Sequence, residues 1–142
     1  MSEADTYPYP STTTHDEARR IWMTDDNVGR VAFVAESEGQ VVATAYLKPN
    51  QPGLGDHIAN AGWMVKPSMR GLGIGRRFAV YVIEQARQRG YLGMQFNAVV
   101  STNEAAVALW KSLGFDVVGT VPRAFRHHRD GLVPIYIMYR DL

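Results

Sequence analysis

The 142-residue chain contains no cysteine, which excludes disulfides, thiolate nucleophiles and cysteine-ligated metal. No apolar run approaches the length of a membrane span. Charge of one sign is also scarce: 15 Lys and Arg against 14 Asp and Glu leave a formal net charge of +1, so no general attraction draws the chain to nucleic acid or to a membrane. The start, Met1 to Pro8, lacks a basic segment followed by an apolar one and does not read as a signal peptide. The expectation is a soluble cytoplasmic protein with no metal, no nucleic-acid partner and no membrane partner.

What is present is apolar material enough for one core: 46% of the residues are hydrophobic, and the length suits a single domain over 1–142. Ser2 to Thr14 is rich in Pro, Ser, Thr and Tyr without a period, which predicts an extended arm over residues 1–13. From Thr14 to about Thr24, acidic Asp16 and Glu17 precede apolar Ile21 and Trp22, as in a short helix. Val31–Glu36 and Val41–Lys48 are β-branched and aromatic runs joined by a turn-rich link and predict a hairpin. Pro49–Asp56 reads as a loop, and a strand from about Ile58 to Val65 follows.

Beyond Gly75, Phe78, Ala79, Val82, Ile83 and Ala86 recur at helical spacing, and Gly90 stands where a left-handed cap is needed. Leu92–Val100 predicts a strand. Ser101-Thr102-Asn103-Glu104 reads as a capping box opening a helix through Leu113. Phe115–Val121 predicts a strand, Pro122–Leu132 a basic loop and Pro134–Arg140 a closing strand. Strands alternating with two amphipathic helices and flanked by hairpins imply an α/β fold with a mixed sheet.

The stretch Trp63 to Arg77 reads as strand, glycine-spaced loop and helix start. Gly71, Gly73 and Gly75 leave backbone N–H groups open to a ligand where the helix dipole is positive, which suits a pyrophosphate. Arg76 stands where a dinucleotide fingerprint needs its third glycine, and the Gly-Lys-Ser/Thr of a Walker A loop is absent. What remains, Arg70-Gly71-Leu72-Gly73-Ile74-Gly75, is the pattern R/Q-x-x-G-x-G/A and resembles the coenzyme A loop of the GNAT superfamily of acyl-CoA-dependent N-acyltransferases. Asn103 to Phe115 resembles a second signature of that superfamily, N-x-x-A-x-x-x-Y-x-x-x-G-F, with Trp110 in place of the tyrosine. Lys48–Gly53, Gln95–Asn97 and Ala124–His127 look most like the branch of phosphinothricin and L-amino acid N-acetyltransferases.

The resemblance implies a splayed central sheet, with the pantetheine arm of acetyl-CoA beside the strand that ends at Val65 and the pyrophosphate on the loop. It implies that Met64, Val65, Arg70, Gly71, Leu72, Gly73, Ile74, Gly75, Arg76, Asn103 and Trp110 meet the cofactor. It also implies that Asn60, Asn97, Arg126 and His127 meet the acceptor. Acetyl transfer from a thioester to an amine needs a neutral amine, a donor for the developing oxyanion and a proton for the thiolate. The family supplies the oxyanion donor from backbone N–H, here Met64 or Val65. Trp110 cannot be a general acid, so Tyr136, Tyr139 or water remain. A family glutamate falls at Asn60, which cannot take a proton, leaving His57, His127, His128 and Asp56 as candidate bases, with His127 and His57 foremost.

The first strand and much of the first helix of the family are expected to be missing, which would bare a sheet edge that a homodimer would cover. The leading expectation is an N-acetyltransferase moving acetyl from acetyl-CoA directly to a small amine, an amino acid or a relative of one. A non-catalytic acyl-CoA-binding module is the alternative.

Overall fold

A computed structural model describes residues 14–23 and 29–142; the expected N-terminal arm lies outside the described residues. The elements run α1 (His15–Met23), β1 (Val31–Ser37), β2 (Gln40–Pro49), β3 (Ile58–Val65), α2 (Ile74–Gln88), β4 (Gly93–Val100), α3 (Glu104–Ser112), β5 (Asp116–His127) and β6 (Gly131–Asp141). The strand order is β1-β2-β3-β4-β6-β5. Antiparallel pairing prevails; β3 and β4 run parallel, in register at Ile58 with Gly93 and Ala59 with Met94. The fold is thus the mixed α/β arrangement expected, and among the described residues β1 is an edge strand.

The described residues form two compact units, Asp16–Met94 with Asp141–Leu142, and Gln95–Arg140 with Thr14 and His15. In the first, α2 buries Phe78, Ala79, Val82, Ile83 and Ala86 on a sheet face that includes Ala45, Leu47 and Ala59, all inaccessible. The large residues among them each contribute about 1.5–3 kcal/mol by leaving water. Small alanines opposite the helix let it approach the sheet. Gly90, at φ 85, ends α2 as the sequence required.

In the second unit Phe96, Phe115 and Trp110 form an aromatic cluster, with Phe96 and Phe115 stacked at 4.4 Å. Phe125 and Val133 pack with Val100. Two expectations fail here. Pro122–Leu132 is a pair of strand ends, because Phe125 and His127 point inward while Arg126 and His128 point out. That alternation places cations on one face of a hairpin, and composition alone reads them as loop. Register shifts after Val117 and Val121, with Arg123 at φ 56, accommodate Pro122 in β5. The helix start is two residues later than a cap at Ser101: Asn103 caps α3 with its Oδ1 accepting from Ala106 N at 3.2 Å.

Candidate active site

The link from β3 to α2 is a single 3-10 turn, Pro67–Met69, followed by the glycine loop. Gly71 and Gly73 have φ of 77 and 76, and a Cβ built on either would meet nothing within 4 Å. These glycines therefore serve the backbone path and leave open space, where a side chain would stand in a ligand's way. Gly73 caps α2 without any side-chain hydrogen bond, and no acid lies in the first turn. The first-turn amides of α2 are thus left with the helix dipole behind them and no side-chain acceptor in front. Arg70, Arg76 and Arg77 are exposed around them. Donor chemistry, open space and local positive charge all fit a diphosphate, so the loop residues present suit the pyrophosphate of coenzyme A.

The register of β3 sets the side to which each of its amides points. Lys66 N donates to Val42 O at 2.8 Å, and Thr44 pairs with Met64 and Tyr46 with Gly62. Because antiparallel strands alternate the side to which each residue's N–H and C=O point, Lys66, Met64, Gly62 and Asn60 direct theirs to β2. Trp63 and Val65 direct theirs away from β2. Of the two amides expected to face the thioester, Met64's is spent within the sheet and Val65's is directed outward. The Trp63 amide points the same way as that of Val65, and the Met64 side chain is 44% exposed.

The even-numbered side chains of β3 share a face with Thr44, Tyr46 and Lys48 of β2, opposite the face on which α2 packs. Tyr46 lies across Gly62, where an added Cβ would come within 2.6 Å of the ring; the glycine is there to admit the tyrosine. Trp22 of α1 meets the Tyr46 ring edge-on at 4.9 Å and donates from Nε1 to Thr44 Oγ1 at 2.9 Å. Tyr46 Oη donates to Asn60 Oδ1 over a long 3.4 Å, and Asn60 is buried. Burial, and then the Arg30 guanidinium, hold the Lys48 ammonium below its usual range. None of Trp22, Arg30, Tyr46 or Lys48 was read from sequence as a site residue. The signal lay in the hairpin register, which sets Tyr46 opposite Gly62 and Lys48 opposite Asn60.

His57 is exposed before β3, eight residues or roughly 26 Å along the strand from Val65. Its carbonyl accepts from Leu92 N at 2.9 Å. His127 is buried in the β5–β6 turn, where Nδ1 accepts from Arg129 N at 3.3 Å and Asp130 N at 3.1 Å. Asp130 Oδ2 stands 2.9 Å from the same nitrogen. His128 stacks on His127 at 5.1 Å.

Arg126 is exposed beside that turn, and Asn97 is exposed with its Oδ1 accepting from Gln95 Nε2 at 3.0 Å. Tyr136 is half-buried opposite Thr120. Trp110 packs at 4.7 Å against Phe96. Asn103 spends its side-chain oxygen on the α3 cap. No cluster of three metal-ligating side chains occurs among the described residues, and no described helix is long and apolar enough to cross a membrane.

Residues 2–115 match the family model described as "Acetyltransferase (GNAT) family". The chain belongs to the GNAT family. It is similar to the N-acetyltransferase aca1 of Schizosaccharomyces pombe, 34% identical over 146 residues that cover 93% of this chain and 70% of that protein. Among solved structures, a GCN5-related N-acetyltransferase from Kribbella flavida superposes with a TM-score of 0.91 at 43% identity, covering 97% of this chain and 83% of the other. The structure of yncA from Salmonella typhimurium, solved with its cofactor acetyl-CoA, has a TM-score of 0.71 at 26% identity, covering 89% and 69%. The uncapped α2 start and the outward amides of β3 are therefore features of a GNAT N-acetyltransferase.

Proposed function

We propose that this GNAT protein transfers an acetyl group from acetyl-CoA directly to the amine of a small molecule of the amino-acid kind. The uncapped, glycine-lined start of α2 carries the reading, because it is built to receive a diphosphate and has no structural cap of its own. Gly71, Gly73, Ile74, Gly75 and the Arg76 side chain would hold the pyrophosphate, with Arg70 and Leu72 flanking it. The bound coenzyme supplies an activated thioester. The N–H groups of Trp63 and Val65 are the donors offered to the acyl oxygen and the arm behind it.

Within the face of β2 and β3, Asn60 offers a hydrogen bond to the acceptor and cannot take its proton. The proton on the amine therefore leaves through water, and turnover should climb with pH until the acceptor's own amine is neutral. The thiolate is a good leaving group, so the indole at Trp110 suffices where a phenol would be an acid; Tyr136 and solvent are the available proton sources. Resemblance of Lys48–Gly53 and Ala124–His127 to the phosphinothricin and L-amino acid acetyltransferases supports the amino-acid-like acceptor. We place the protein in the cytoplasm as a homodimer covering the edge of β1, where Val34 is 53% exposed.

The test is release of CoA by the purified full chain, given acetyl-CoA and a panel of amino acids and simple amines. Release above the solvent blank is expected with at least one amino acid. Tight CoA binding without release on any amine would instead mark a binding module.

A further inference from the structure

The face that bears Tyr46 and Asn60 also bears two cations in one row. Val31 pairs with Leu47, so Arg30, one residue earlier, falls opposite Lys48, and Lys48 in turn pairs with Asn60. Like charges directly across a sheet repel. Both side chains are half-buried. Among the described residues no carboxylate pairs with either. The Arg30 guanidinium sits 5.3 Å over the Tyr46 ring and donates from one terminal nitrogen to Ile21 O. Two half-buried cations side by side on one face are costly unless an anion joins them.

We propose that Arg30 and Lys48 form a subsite for the carboxylate of the amine acceptor. This rests on the N-acetyltransferase reading above and assigns the acid-reading groups to β2 and the entrance to β1. The Lys48–Asn60 row lies three residues from Trp63, roughly 10 Å along the strand, and a lysine side chain spans over half of that. Amine and carboxylate must then be separated by only a few bonds, which selects a free amino acid over a peptide lysine or a polyamine. A guanidinium fork gives directional bonds to one oxygen pair, and the Lys48 ammonium adds a point charge. Arrival of the carboxylate also relieves the repulsion between the two cations.

The experiment follows thermal unfolding of the full chain as N-acetylglycine, the smallest product of such a transfer, is titrated, with the neutral N-acetylglycinamide alongside. It is run on the wild type, Lys48→Met and Lys48→Arg. The expected result is a rise in melting temperature with the acid and none with the amide, retained in Lys48→Arg. In Lys48→Met the half-saturating concentration should rise about 10- to 100-fold. An equal shift with the amide, or an undiminished shift in Lys48→Met, overturns the subsite. Because this readout needs no turnover, it separates two failures. If the acid binds as expected but no amine releases CoA, the subsite stands and the transferase reading falls. If CoA is released equally fast from amino acids and their amides, the transferase reading stands and the subsite falls.

Discussion

The helices α2 and α3 begin in opposite ways. At α3 the chain satisfies itself: Asn103 caps an amide, and Glu104 sets negative charge in the first turn where the dipole welcomes it. At α2 there is no cap, no acid in the first turn and arginines at positions 76 and 77. The second start is worse for an isolated helix and better for an anion. A helix N-terminus closed by its own side chain is architecture, whereas one left open between glycines and arginines is a receptor waiting for charge.

The largest expected effect comes from closing the open start. Gly73 has positive φ, which aspartate tolerates better than most side chains, so Gly73→Asp should fold while placing a carboxylate where the pyrophosphate would sit. Calorimetric CoA affinity should fall about 100-fold, from lost donors and like-charge repulsion. Next is Arg77→Glu, exposed in the first turn of α2. It should weaken CoA about 10-fold at low salt and less at high salt, yet raise the stability of the ligand-free chain by about 0.3–1 kcal/mol in urea unfolding. The opposite signs are the point, since a purely structural arginine would not separate them.

At α3 the expectation reverses. Asn103→Ala should cost about 1 kcal/mol of stability and change CoA affinity less than either α2 variant. An effect on CoA as large as that of Gly73→Asp would erase the distinction between the two starts.

The smallest effect lies away from both starts, at Lys48. Its folded-state pKa is lowered, by burial first and Arg30 second, so between that value and the usual 10.5 the unfolded chain holds more protons. Stability should therefore rise with pH through that window, and Lys48→Met should abolish the rise. Tyr91 works the other way: burial, aided by Asp56 and opposed by Arg89, raises its pKa above 10.0, so its contribution is lost as pH climbs past that value. Urea unfolding from neutral pH upward, in wild type and Lys48→Met, separates the two.

The contrast between the helix starts also explains what was legible in the sequence. Acidic residues ahead of apolar ones placed α1, β-branched runs placed the hairpin, and periodicity placed α2, which buries a regular stripe of Phe78, Val82 and Ile83. The glycine loop was legible because a ligand that approaches backbone requires glycine at fixed spacing. Four things were not. Cations on the outer face of β5 disguised a strand as a loop. The true cap, Asn103, stood two residues beyond a plausible Ser101. The direction of a backbone N–H leaves no trace in residue types, so Met64 stood in for Trp63 until the β2–β3 register was known. Tyr46, Lys48 and Arg30 became visible only as a cross-strand set, because their meaning lies in which residues they oppose.

Whether α2 opens onto the coenzyme and α3 does not can be read directly from amide NMR of the uniformly labelled chain as CoA is added. Large shifts are expected for the amides of Gly71, Gly73, Ile74 and Gly75, accompanied by Trp63 and Val65 of β3 and small changes at Glu104–Ala106. Large shifts confined to the start of α3, with the glycine loop unmoved at saturation, would contradict this expectation.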